Sequence, residues 1–79
     1  MKRIYKYGPV YINGYTEIYG KLIYAGLQND NVYVWCELSE ENEFIKNRVR
    51  IVGTGHLYNG CYFATVIDGE YVWHVIKED

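Results

Sequence analysis

The sequence predicts an all-β domain: a small antiparallel meander of five to six strands, forming a curled sheet or an open barrel. Three observations carry this. Short runs rich in Val, Ile, Tyr and Trp alternate with polar residues at a period of two, as in Val32 to Leu38 and Glu70 to Lys77. The dipeptides Asn13-Gly14 and Asp68-Gly69 are two-residue turn signals. No segment sustains the 3.6-residue period of a helix.

The elements follow in order. Ile4 to Tyr7 reads as a first strand, ended by Gly8-Pro9, and Val10 to Ile12 extends it past a kink. After the Asn13-Gly14 turn, Glu17 to Leu27 reads as one strand, with Gly20 and Gly26 as bulges or ends. Asn29 to Asn31 then turns the chain into Val32 to Leu38, where Val32, Val34, Cys36 and Leu38 share one face and Tyr33, Trp35 and Glu37 the other. Ser39 to Glu43 is a polar loop or one helical turn. Phe44 to Val52 is the next strand, with Ile45, Val49 and Ile51 opposed to Lys46, Arg48 and Arg50. A loop from Gly53 to Gly60 follows. Cys61 to Ile67 and Glu70 to Lys77 form a hairpin about Asp68-Gly69. Gly8, Gly14, Gly20 and Gly26 recur every six residues, but no aliphatic stands beside each, so the spacing does not make a hexapeptide solenoid.

With 79 residues the chain is a single domain spanning residues 1–79, near the lower limit for a self-sufficient core. Ten tyrosines and two tryptophans are more aromatics than one thin sheet readily buries, which predicts a homo-oligomer. Tyrosine suits both half-buried strand faces and binding surfaces. A net charge of −2 argues against general nucleic-acid binding, which needs a strongly basic face. No apolar run reaches the length of a membrane span and no signal-peptide core follows the N-terminus, so a soluble, cytoplasmic protein is expected. There the two cysteines, Cys36 and Cys61, stay reduced.

The loop Gly53-Thr54-Gly55-His56 is the leading candidate site. Glycines flanking a threonine let backbone N–H groups converge on an anion, to which Thr54 and His56 add donors. The loop lies between strands, so no helix dipole supports it, and its spacing matches neither a P-loop nor a dinucleotide fingerprint. The structural alternative is a tight turn. Arg48 and Arg50 share the strand face just upstream and are spaced to grip a phosphate or carboxylate, or to form a solvated face. Trp35 and Trp73 occupy strand centres, as core or interface anchors or as base-stacking rings. His74 shares a face with Val72 and Ile76 and reads as an inward, hydrogen-bonded histidine, with an acid–base role requiring a carboxylate partner. Cys36, His56, Cys61 and His74 match no zinc-ligand spacing, and neither a metal nor another cofactor is expected. Ser39, the single serine, sits in a polar turn with no nucleophile elbow.

Arg50 to His56, with its GTGH loop, and Tyr71 to Ile76, with its VWHV strand, resemble a family of small phage-encoded domains of unknown function. The similarity extends to Ile4 to Tyr7 and to Leu22 to Gln28 followed by Val34-Trp35. The chain departs from the family in a short segment after His56 and in Ala64, where glycine is expected. The resemblance implies no catalytic role. It implies a phage protein that acts by binding in the host cytoplasm, countering host defence. One form of this is a sponge that holds a nucleotide immune signal, with Arg48 and Arg50 on phosphate, Gly53 to His56 as donors, and Trp35 or a tyrosine on the base. The alternative is an inhibitor that occludes a host defence protein through a tyrosine-rich surface or a free sheet edge. An accessory phage structural protein is a third class.

Overall fold

The alternation in the sequence becomes the burial pattern of the fold. The computed structural model describes residues 1–78. Seven strands follow one another: β1 (Arg3–Val10), β2 (Thr16–Tyr19), β3 (Lys21–Gln28), β4 (Asn31–Leu38), β5 (Lys46–Gly53), β6 (Cys61–Asp68) and β7 (Tyr71–Glu78). All pairings are antiparallel, in a three-stranded sheet of order β1-β4-β3 and a four-stranded sheet of order β2-β5-β7-β6. The all-β, antiparallel class is as expected. The strand count and the split into two sheets, not closed into a barrel, go beyond it.

Gly20 accounts for the difference. The sequence reads Glu17 to Leu27 as one strand, but the chain turns at Gly20 and leaves the four-stranded sheet for the three-stranded one. Such sheet-switching corners need a local bend. Gly20 has φ +105°, and a Cβ there would sit 2.6 Å from the Glu37 carbonyl oxygen, so only glycine fits. The buried Asn47 on β5 holds the corner. Its Nδ2 donates to the carbonyls of Ile18 at 3.0 Å and Gly20 at 2.8 Å. The Gly20 N–H donates to the Ile45 carbonyl.

The core lies between the sheets. Val10, Ala25, Val32, Val34 and Cys36 come from one side, and Ile18, Val49, Ile51, Val66 and Val75 from the other. Each valine or isoleucine among them contributes roughly 1.5–3 kcal/mol when fully buried. Tyr7, Leu22, Phe63, Ala64 and Trp73 pack around this cluster.

Further boundaries differ from expectation: β6 runs on to Asp68 and β7 covers Tyr71–Glu78, so the turn between them is Gly69-Glu70. β1 runs through Gly8-Pro9 to Val10, with a register shift between Tyr7 and Val10, and leaves Tyr11 and Ile12 outside it. Phe44 and Ile45 precede β5, because Ser39 to Ile45 closes as a turn. The Ser39 carbonyl accepts from the N–H groups of Asn42 and Glu43, the Asn42 carbonyl accepts from Ile45, and Asn42 Oδ1 accepts from the Ser39 N–H at 2.7 Å. Ile45 is consequently exposed, and the buried residue at the start of β5 is Asn47. No helix occurs among the described residues, so none is long and apolar enough to cross a membrane.

Candidate functional site

Alternation along β5 turns Arg48, Arg50 and Val52 away from the core, onto the outer face of the four-stranded sheet. Register then decides their neighbours. On β7, Glu78 stands opposite Arg48, Ile76 opposite Arg50 and His74 opposite Val52. On β6, Tyr62 faces Ile76 and Thr65 faces His74. Ile76 is fully buried and Val52 nearly so, although both point away from the core. Ile76 stands between Arg50 and Tyr62 in the register, and long stems and rings of that kind cover apolar neighbours on such faces.

The two arginines are held differently. Arg48 lies over the Tyr15 ring, its guanidinium carbon 3.6 Å from the ring centroid. Arg50 Nε approaches Glu78 Oε1 to 2.5 Å, an ion pair whose alignment falls short of a hydrogen bond. The buried Nε of Arg48 has no hydrogen-bond partner among the described residues. A guanidinium carries five N–H donors, so both side chains retain donors for an anion.

His74 sits beside them in a row of hydroxyls. Its Nε2 is 2.9 Å from Thr54 Oγ1 and its Nδ1 is 3.0 Å from Thr65 Oγ1, which in turn lies 2.8 Å from Tyr62 Oη. The histidine is hydrogen-bonded as expected, but it belongs to the outer face and not to the interior. Its ring partners among the described residues are two hydroxyls and no carboxylate.

The turn from Gly53 to His56 closes on itself. The Gly53 carbonyl accepts from the His56 N–H at 3.2 Å, and the Gly53 N–H donates to His56 Nδ1 at 3.4 Å. Gly55 supplies the positive φ, +88°, that the third position of such a turn requires. His56 is therefore occupied in closing the turn, and Thr54 reaches His74. A shallow concavity of about 260 Å³ lies between this turn and the sheet, bordered by Thr54, His56, Tyr58, Tyr62 and His74.

The nine candidate residues do not all converge. Arg48, Arg50 and His74 share the outer face of the four-stranded sheet, and Gly53, Thr54, Gly55 and His56 form the turn at its end. Trp73 faces inward on β7, packed against the core and stacked on Tyr71 with ring centroids 6.1 Å apart. Trp35 lies on the outer face of the other sheet, edge-on to Tyr24 at 5.5 Å. The core separates it from Arg48 and Arg50, so it cannot stack on a ligand that they hold. Tyr58 and Tyr62 border the concavity that holds His74, while Trp73 and Tyr71 border a second one, of about 430 Å³, with Gly53, Thr54 and His56. Thr65 was not legible: a two-residue Asp68-Gly69 loop would pair Ile67 with Glu70 and His74 with Phe63, whereas the loop is Gly69-Glu70, so that Asp68 pairs with Tyr71 and Thr65 with His74. Glu78 and Tyr15 reach the arginines through β5–β7 pairing and a loop, which no local pattern encodes.

Among the described residues no three His, Cys, Asp or Glu side chains gather to hold a metal. Cys36 is buried in the core, while His56 and His74 lie beyond the other sheet. No curated protein and no solved structure matches the chain. The DUF7352 domain of unknown function matches residues 1–79, the whole length, and the chain belongs to that family.

Proposed function

We propose that the protein is a non-enzymatic binding domain, taking a phosphate-bearing ligand of the nucleotide class on the outer face of its four-stranded sheet. The observation that carries this is the pair Arg48 and Arg50, two arginines turned to the outer face beside the Thr54–His74–Thr65–Tyr62 row. Phosphate needs the first and a sugar or base edge the second. Arg50 and Thr54 are four residues apart, roughly 13 Å at the rise of a strand, so the ligand must be extended. Tyr62 or Tyr58 supplies the stacking ring. In the phage setting that the sequence resemblance implies, such a domain works in the host cytoplasm as a sponge for a nucleotide defence signal. A homo-oligomer places a second copy over this open face.

A thermal-shift panel of cyclic dinucleotides, cyclic trinucleotides and ADP-ribose derivatives tests it. A ligand at 100 times its dissociation constant stabilises the native state by about 2.7 kcal/mol. Arg50→Ala should abolish that shift and leave the fold intact. Unchanged affinity in the variant removes the assignment.

The outer face of the three-stranded sheet favours a second reading, an inhibitor of a host protein. Ile4 and Tyr24 are 64% and 61% exposed there, beside Trp35 and Tyr33, an aromatic surface suited to a protein partner. A silent nucleotide panel, with capture of a host protein that Tyr24→Ala abolishes, supports this reading over the first.

A further inference from the structure

A concavity of about 560 Å³ lies away from the glycine turn, at the other end of β5 and β7. Both sheets line it: Leu22 from the three-stranded sheet, and Asn47, Phe63 and Lys77 from the four-stranded one, with Asn42 and Ile45 from the turn before β5. The proposed nucleotide site uses none of these residues.

Lys77 is the informative one. Alternation along β7 puts it on the side of Trp73 and Val75, facing the other sheet, and its register partners are Val49 and Cys61. Lysine is seldom placed on a core-facing side without a partner. Among the described residues Lys77 forms no ion pair. The carboxylates at the rim do not serve it. Glu37 is 3.9 Å from Lys2 and stands opposite Lys21 in the β3–β4 register, and Glu41 is exposed. The rim lysines Lys2 and Lys21 thus offset the acids, and one inward ammonium is left over.

The rest of the wall is divided by chemistry. Leu22 and Phe63 extend the core surface into the concavity, and Ile45 adds to them. Asn42 is buried, and with its Oδ1 accepting from Ser39 its Nδ2 remains a donor. An apolar floor, one cation and a carboxamide donor match a head-and-body ligand.

We propose that this concavity binds a small amphiphilic monoanion: an apolar body carrying one carboxylate, whose head pairs with Lys77 and whose body lies on Leu22, Phe63 and Ile45. A single inward ammonium favours one negative charge over the two of a phosphate monoester.

Decanoate is the probe. Titrated into the purified chain and followed by calorimetry and NMR, it should bind saturably and shift the signals of Leu22, Ile45 and Phe63. Lys77→Gln should weaken binding at least tenfold, Lys77→Arg should retain it, and Arg50→Ala should leave it unchanged. Octylammonium should not bind. The proposal is overturned by non-saturable binding, by shifts confined to other parts of the protein, or by equal affinity in a folded Lys77→Gln chain. Should that variant not fold, the comparison of decanoate with octylammonium on the unaltered chain decides, and equal binding overturns the proposal.

Discussion

The carboxamide of Asn47 donates a 2.8 Å hydrogen bond to the carbonyl of Gly20, tying β5 to the residue at which the chain changes sheets. The same nitrogen serves Ile18, so one buried amide satisfies two carbonyls at the corner. Asn47→Ala removes the donor to both and should cost about 2 kcal/mol or more, since each buried unsatisfied group carries a penalty of roughly 1–3 kcal/mol. Asn47→Asp should cost at least as much, because a carboxylate cannot donate. Urea denaturation measures both, and a loss below about 0.5 kcal/mol for either would show that water replaces the amide.

Gly20→Ala meets two obstacles, a left-handed φ and the Glu37 carbonyl. A destabilisation of about 2 kcal/mol or more is expected, opposite in sign to the roughly 0.4–1 kcal/mol gain of Gly→Ala where the backbone is compatible. Gly14→Ala, also at positive φ but with open space around its Cβ, should cost less. Melting temperatures of the two variants check the order.

Stacking at the proposed nucleotide site belongs to Tyr62 or Tyr58, because Trp35 lies beyond the core. Trp35→Ala should leave nucleotide affinity within twofold. Loss of the stacking tyrosine should cost roughly 1–3 kcal/mol, or about 5- to 150-fold in Kd. Calorimetric titration of a ligand found in the panel separates the outcomes; a large loss in Trp35→Ala would place the site on the other sheet.

Burial pushes the Cys36 thiol up from 9.0 to about 11, whereas Cys61 is exposed. The native state holds the neutral thiol, so this contribution to stability is complete below pH 9. It is lost as pH rises toward 11, where the unfolded chain ionises and the folded one does not. Cys36→Ala should lose less stability than wild type across that interval, and identical slopes would contradict the assignment. At pH 8 a thiol reagent should label one cysteine rapidly and the second only on unfolding.

Much of this protein was legible in its sequence, for a local reason. A period of two assigns inner and outer faces without knowing the neighbour, so the core positions Val32, Val34, Cys36, Val49 and Ile51 and the outward pair Arg48 and Arg50 follow from alternation alone. The Asp68-Gly69 signal locates its hairpin but not the register, since a loop at those two residues would pair Ile67 with Glu70, whereas Asp68 itself pairs with Tyr71. Alternation does not say which strand lies alongside. The pairing of β5 with β7 brings Glu78 to Arg50, the corner at Gly20 divides one expected strand between two sheets, and the stacking of those sheets puts Trp35 on the far side from the arginines. Those contacts join residues distant in sequence, held by backbone ladders that carry no side-chain signature. The chain determined its strand faces by itself, and which faces meet, and therefore where a site can form, was decided only when the two sheets packed.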